Sequence, residues 1–514
     1  MVLKLILIII YLFFICKLYY YLLNILQQNH YEIGKLNKSL KKYYFKKTYI
    51  YIYYIVSVIL LIKINLFTMI LSIMLLLISF IFQNKYIIKL KFTKRIIRLI
   101  ITSFIILIIV ILINNIIDNK LNLLIPLYLP FILIIVNIIN LPIEKLINKY
   151  YERLAKKKIN IHSNLINIAI TGSYGKTSTK DLLYNVLNNK YITLKSPHSY
   201  NTIMGLSVTI NQMLSKMTEI FISEMGAFRP LEIKQMSNLI KPDIAIITQI
   251  GPQHISTFKN INNVLKAKLE IISGLKKDGI LILNVDNLYL NEIKDKYSNL
   301  YKVFTFGINN GIYNARNIKY INNITKFDIY ENNNYIETIE TTLLGNHQIL
   351  NILCIYATLK ALFFKGINIT NNEFKEVIKK VKPSNHRLSY YHVNNLHIYD
   401  DSYSSNIVGS KNAIEVLKKQ QGIKAIITPG IVDCGKELNN INLEFSKNLE
   451  DGIDLICLIK NKSIIPITKY LDEKQTNYQL FNNFKEAYQY ILNYSNEKIN
   501  LLIENDLPDS FIER

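Results

Sequence analysis

Ile168-Ala169-Ile170-Thr171-Gly172-Ser173-Tyr174-Gly175-Lys176-Thr177-Ser178-Thr179 joins a short apolar run to a glycine-bearing turn and then to a helical pattern. A phosphate cradle needs that order. A strand fixes the turn, and glycines at 172 and 175 let backbone N–H groups approach phosphate oxygens. The helix start adds partial positive charge, Lys176 reaches the outer phosphates and the Thr177 hydroxyl is placed to bind Mg²⁺. The general phosphate-loop pattern places glycine where this chain has Ile170, so a chance Gly-Lys-Thr at a strand–helix turn is the competing reading.

Outward from this stretch the chain has two textures. At 514 residues it has length for about three domains. Its composition is biased throughout to Ile, Asn, Lys and Tyr, with no Trp, so single Lys and Asn residues carry little weight. The net charge of +24 is uneven: residues 1–150 carry 18 Lys and Arg against Glu32, Asp118 and Glu144, or +15, and the rest carries +9. The basic excess lies between apolar runs, as membrane flanks do, and not on a folded face, which argues against nucleic acid as a partner. Cys16, Cys354, Cys434 and Cys457 are scattered and form no C-x-x-C pair, so neither a zinc site nor a disulfide framework is expected.

Residues 2–26, 49–84, 99–117 and 121–142 are apolar. The last two have the ~20 residues of a membrane span, and 49–84 has the length of a tight hairpin, so about five spans are expected in a region 1–145. Basic clusters at 35–47, 85–98 and 145–158 alternate with short, charge-poor turns near Lys63 and Asp118. Positive-inside alternation then puts the N-terminus outside and the catalytic domains in the cytoplasm of a multi-pass plasma-membrane protein. Segment 2–26 lacks a small-residue cleavage pattern, and its basic residues follow it, so it does not read as a cleaved signal.

After about residue 160 the apolar runs shorten. Ile166–Thr171, Glu219–Ser223, Ile244–Thr248 and Ile280–Leu283 alternate with amphipathic segments, which predicts a mainly parallel α/β sheet. Residues 308–345 read as small antiparallel strands, followed by a helix from Gln348 to Phe364. A second, smaller Rossmann-like α/β pattern begins near Pro383, with strands at Leu396–Tyr399, Ala425–Thr428, Leu455–Ile459 and Ile499–Ile503. The domains are thus read as 160–383 and 384–514.

Polar residues after such strands are candidate ligand contacts, because open α/β sheets gather ligands there. Glu224 and His254 suit a divalent cation beside the phosphates, and read singly they suit a helix cap and a loop residue as well. Lys266 and Lys268 point in different directions on a helix, and a solvated face is the default for both. Asp400-Asp401-Ser402 after a strand fits a ribose or metal contact and fits a helix cap equally.

Taken together, T-G-S-Y-G-K-T-S at 171–178, E-M-G-A at 224–227, Q-I-G-P-Q-H at 249–254, K-A-K-L-E at 266–270, G-N-H-Q-I-L-N at 345–351 and D-D-S-Y-S-S-N at 400–406 resemble the Mur ligase family, in family order, over about 163–514. The last two stretches resemble its D-alanyl-D-alanine-adding branch. The resemblance implies an ATP- and Mg²⁺-dependent acid–amino-acid ligase. ATP would phosphorylate a carboxylate of a cell-envelope precursor to an acyl phosphate, and an amino acid or dipeptide amine would displace phosphate. It further implies that Thr171, Gly172, Ser173, Gly175, Lys176, Thr177 and Ser178 cradle the phosphates, with Thr177, Glu224, His254 and a carbamylated Lys268 at the metals. Lys176, Lys268, His254 and Arg387 would be catalytic. Asn346 and Asn351 would face adenine, and Arg387 and Asp401 would meet the nucleotide from the C-terminal domain.

Where the family carries a sugar-nucleotide-binding N-terminal domain, this chain has its apolar segments, so a lipid-linked acceptor is expected. The stretch 428–435 also departs from the family's glycine-aspartate pattern. Three other readings compete: a polyglutamate- or cyanophycin-like ligase, a membrane P-loop ATPase or transporter subunit, and a silent scaffold. The spans hold few ionisable residues, which disfavours a transport path.

Overall fold

The computed structural model describes residues 2–41, 48–62, 67–68, 70–71, 74–75, 89–197, 200–252, 255–321, 323–383, 386–402, 407–432 and 437–504. Two compact units divide the chain, one built on Met1–Tyr150 and the other on Tyr151–Leu507.

The first unit is helical: Val2–Gln28, Ile33–Ser39, Thr48–Ile62, Lys94–Ile117 and the first part of Ile125–Ile161. Leu22, Leu26, Leu60, Leu99, Leu129 and Leu133 are among the residues of its core. Its helices also share polar contacts. Tyr11 Oη and Ser57 Oγ lie 2.9 Å apart, Tyr19 meets Ser103, and Asn140 Nδ2 donates to Thr102 Oγ1 at 3.1 Å. Ile101, Phe104, Ile108, Leu112 and Ile116 follow helical spacing and are exposed. An apolar stripe of that length on a surface marks a membrane or protein contact.

Ile8–Gln28, Lys94–Ile117 and Asn119–Ile161 are long and apolar enough to cross a membrane. Thr48–Ile62, at 15 residues, is shorter than a span, and most of the second half of the expected 49–84 hairpin lies outside the described residues.

The second unit holds two sheets. The larger has nine strands in the order β2-β3-β1-β4-β5-β6-β7-β8-β9. Here β1 is Ile166–Thr171, β2 Thr193–Lys195, β3 Ile220–Glu224, β4 Ile244–Ile247, β5 Ile280–Asn284 and β6 Lys302–Phe306. These pair in parallel, while β7 (Tyr313–Ile321), β8 (Ile324–Glu331) and β9 (Asn334–Thr341) form the antiparallel edge. The runs Ile168–Ile170 and Ile244–Ile247 are fully buried, as strands covered by helices on both faces must be.

The smaller sheet runs β10-β11-β15-β12-β13-β14, with β10 (Ser389–Val393) antiparallel to β11 (Leu396–Asp401). Its other pairings, including β11 with β15 (Ile499–Glu504), β12 (Ile423–Thr428) with β13 (Leu455–Ile459), and β13 with β14 (Gln479–Phe481), are parallel. The mixed α/β architecture expected from the apolar runs is the observed one.

In the large sheet β1 lies between β3 and β4, so the chain order reverses at β1. Loops leaving the carboxyl ends of strands diverge at such a point and open a crevice. The glycine turn leaves β1 at that crevice.

Candidate active site

The turn between β1 and the helix Lys176–Leu187 is clamped to the end of β4. Thr248 N donates to Thr171 O (2.9 Å), Thr248 Oγ1 to Tyr174 O (2.6 Å) and Ser173 N to Gln249 O (2.6 Å). Ser173 Oγ donates to Gly251 O and accepts from Gly251 N, both at 3.0 Å. The Thr171 hydroxyl turns inward to Met225 O at 2.9 Å. Thr171 and Ser173 thus shape the loop through side chains that are fully buried.

Gly172 is the tightest point: a Cβ there would lie 2.1 Å from Thr248 Oγ1, at φ 150°. Gly172→Ala is therefore expected to lower nucleotide-dependent turnover by about 10²-fold, because the loop must leave its clamp. Adding Thr248→Ala should recover part of it. Full activity in the single variant, measured as phosphate release, would refute the steric reading.

Gly175 (φ 81°) begins the helix, whose first turn carries Lys176 and Thr177. Lys176 Nζ donates to Gly172 O (2.8 Å) and Ser173 O (3.0 Å). Burial lowers its pKa to about 8, with Glu224 opposing and Arg387 adding to the shift. An ammonium satisfied only by two carbonyls, beside a helix N-terminus of 12 residues, is a ready cation for a phosphate.

Glu224, at the end of β3, is 2 % exposed. Its Oε2 accepts from Lys180 Nζ and its Oε1 from Asn201 Nδ2, each at 3.1 Å. Lys180 is equally buried, and neither it nor Asn201 stands out in a lysine- and asparagine-rich sequence.

Lys268 is buried on the helix Ile261–Leu269, whereas Lys266 is exposed on the same helix. The two do point apart, but only Lys266 is solvated. Burial first, and then the charge of Lys176, lower the Lys268 pKa to about 7, against Glu270, Glu232 and Glu224. His254 lies outside the described residues.

Beside the turn lies a narrow cleft of about 100 Å³, smaller than the ~300–1,000 Å³ of a pocket that encloses a whole ligand. Tyr174, Gly175, Ser178, Asn351, Arg387 and Asp401 line it together with His347 and Gln348. Asn351 accepts from Thr179 Oγ1 at 3.2 Å and donates to Gln348 Oε1 at 3.1 Å. Asn346 instead accepts from Tyr320 Oη at 2.7 Å and does not line the cleft. His347, Gln348 and Asn351 share a helix face by their spacing of three and four, a signal that points to them ahead of Asn346.

From the small sheet, Asp401 accepts from Leu388 N at 3.0 Å, and burial raises its pKa to about 6 despite Arg387. His386 and Leu388 flank Arg387 with φ 61° and 51°. Left-handed backbone on both sides of one arginine is strain of the kind that clusters at functional sites.

Among the described residues no group of three or more His, Cys, Asp or Glu gathers as a metal centre. Mg²⁺ beside phosphates needs only one or two protein oxygens; the Thr177 hydroxyl in the first helical turn and the Glu224 carboxylate, both of whose oxygens accept from Lys180 and Asn201, are of that kind.

The comparisons with known proteins fall on this same region. The family model that matches is the Mur ligase middle domain, over residues 170–359. That stretch of the chain is a Mur ligase middle domain.

Relatives of this Mur ligase core include the UDP-N-acetylmuramoyl-tripeptide–D-alanyl-D-alanine ligases of Buchnera aphidicola (subsp. Baizongia pistaciae), 33% identical over 60% of this chain, and of Bacillus subtilis, 31% identical over 52%. The chain spans 66% and 56% of those two relatives' own lengths. The fold is similar to MurF from Acinetobacter baumannii, with TM-score 0.63 and 22% identity over 70% of this chain and 77% of that one. It is also similar to MurF from Thermotoga maritima in complex with ADP, with TM-score 0.62 and 21% identity over 70% and 80%.

Proposed function

We propose that the chain is a membrane-anchored, cytoplasm-facing, ATP-dependent amide ligase that joins D-alanyl-D-alanine to a peptide carboxylate of a cell-envelope precursor. The observation that carries this reading is the meeting of Arg387 and Asp401, from the small-sheet domain, with the glycine turn and Asn351 in one cleft. Two domains then contact one nucleotide, as a ligase that closes over ATP requires. The names of the relatives supply the dipeptide.

In this reading ATP supplies the phosphoryl group that activates the carboxylate, and Thr177 and Glu224 would hold Mg²⁺, which would neutralise phosphate charge. Lys176 exchanges the Gly172 and Ser173 carbonyls for phosphate oxygens. Arg387 holds the outer phosphates from the opposite wall, and Gln348 and Asn351 present amide groups to the base. The work is alignment and charge stabilisation in a site of low dielectric.

The bilayer enters through the apolar helices of the first unit, which stand where the family has its sugar-nucleotide domain. An enzyme held at the membrane gains most from an acceptor that is itself lipid-linked. Phosphate release by the detergent-solubilised full chain tests both parts. Release is expected only when D-alanyl-D-alanine and a precursor are both present, and faster with the lipid-linked precursor. Release indifferent to the amine would sink the ligase reading, and exclusive use of the soluble nucleotide form would sink the lipid-linked acceptor.

A further inference from the structure

The first unit contains two arginines one helical turn apart, beside one buried carboxylate. On the helix Lys94–Ile117, Arg98 clasps Glu144 through Nε (2.7 Å) and Nη2 (2.6 Å). Glu144, on the helix Ile125–Ile161, is 6 % exposed, so this ion pair is largely withdrawn from water. Arg95 lies one turn earlier, with its guanidinium stacked 3.7 Å from the centre of the Tyr31 ring. Among the described residues it has no carboxylate or carbonyl partner, and its buried Nε has no acceptor.

The surroundings hold Arg95 in place. Asn137 Nδ2 donates to Tyr31 O at 3.0 Å and fixes the stacking ring, while Asn137 Oδ1 has no donor. Gln27 grips the backbone of Lys91 from both sides, at 2.8 and 2.9 Å, which pins the segment leading into the arginine helix. Lys91, Lys94 and Lys145 are exposed around it, and Glu144 is already committed to Arg98. With its one carboxylate, Glu144, held by Arg98, the cluster is a half-buried cationic fork with net positive charge. A planar guanidinium held by stacking is pre-organised for two-point hydrogen bonding to phosphate, and Lys is not. By the charge alternation of the loops, this end of the bundle is the cytoplasmic one, where headgroup phosphates lie.

We propose that Arg95, stacked on Tyr31 beside the Arg98–Glu144 pair, binds the phosphate of a lipid headgroup at the cytoplasmic end of the N-terminal helices. The assignment rests on the membrane placement proposed above. Arg95 is the binding residue, Tyr31 and Asn137 position it, and Arg98 is held by Glu144.

Native mass spectrometry of the full chain, released from a neutral detergent, tests it with four probes: phosphatidylglycerol, an isoprenoid diphosphate, diacylglycerol and inorganic pyrophosphate. Both phosphate-bearing lipids should be retained, and Arg95→Gln should weaken their retention about tenfold, with Arg95→Lys intermediate. Tyr31→Leu, which removes the stack and leaves the charge, should weaken it several-fold. Preference for the isoprenoid diphosphate would name the lipid-linked precursor as the occupant, and preference for phosphatidylglycerol would name the bilayer itself. Equal retention by Arg95→Gln, equal retention of diacylglycerol, or pyrophosphate binding as tight as the lipids would each overturn the proposal. Amine-dependent phosphate release by the same preparations reports the ligase reading separately: turnover without Arg95-dependent lipid retention sinks only the lipid site.

Discussion

Lys180→Met is expected to destabilise the second unit by about 3–5 kcal/mol, although it removes none of the residues that line the nucleotide cleft. The Lys180 and Glu224 side chains are 1 % and 3 % exposed, and their ion pair spans 3.1 Å. Methionine fills the lysine's volume but leaves the Glu224 carboxylate desolvated, with the Asn201 amide as its hydrogen-bond donor and Lys176 and Lys268 acting on it only through space. The penalty is that of an uncompensated buried charge, not of a lost contact, and this gives the test its edge. In the double variant Lys180→Met with Glu224→Gln the buried charge is gone, so most of the lost stability should return. Urea unfolding of the single and double variants measures it. Strict additivity, or a single-variant cost below about 1 kcal/mol, would show that the pair carries no such burden. Breaking the exposed pair Lys380–Glu376, whose side chains are 78 % and 60 % exposed, should change nothing measurable and serves as the control.

That pair also shows where reading the sequence stopped. β1, β3, β4 and β5, the strands around the phosphate turn, were legible because short runs of three or four consecutive apolar residues, alternating with amphipathic segments, read as covered strands. The turn itself was legible because glycine at 172 has a steric reason that survives any compositional bias. Lys180 was not, and Lys268 stood out only through the motif resemblance. In a chain with 61 basic residues, a lysine on an amphipathic helix reads as solvated. From the residues themselves, tertiary packing, with Glu224 facing one ammonium and Lys176 approaching the other, is what separates these two from the rest. Asn346 illustrates the reverse case. It sits in the right motif, one residue early, and the helix phase turns it to Tyr320 while His347, Gln348 and Asn351 face the cleft. Motif order located the site, and side-chain direction within the motif had to come from the fold.

Phosphate release is expected to depend on dissolved bicarbonate, and the dependence is expected to run through Lys268. Carbamylation needs a neutral amine. An ordinary lysine is neutral in well under 1% of molecules at pH 7.5, whereas Lys268, brought to about pKa 7 by burial and by Lys176, is mostly neutral there. The reaction would turn a neutral amine into an anion that attracts Lys176, releasing a proton, and would give a metal beside Thr177 and Glu224 a further oxygen donor.

The sign of the pH effect follows from the lowered pKa. Between about 7 and the ordinary 10.5 the unfolded chain binds the proton that the folded chain has lost, so this residue makes the fold more stable as pH rises across that window and most costly below it. Activity limited by carbamylation should likewise climb as pH passes about 7. Lys268→Met should flatten the stability slope and, with the anion gone, lower turnover by ~10²-fold. A carbamate carbonyl signal after equilibration with ¹³C-bicarbonate, absent in the variant, is the direct readout. Full turnover in bicarbonate-free buffer with no such signal would leave Lys268 as a buried neutral amine, and the metal would then rest on Glu224 and Thr177 alone.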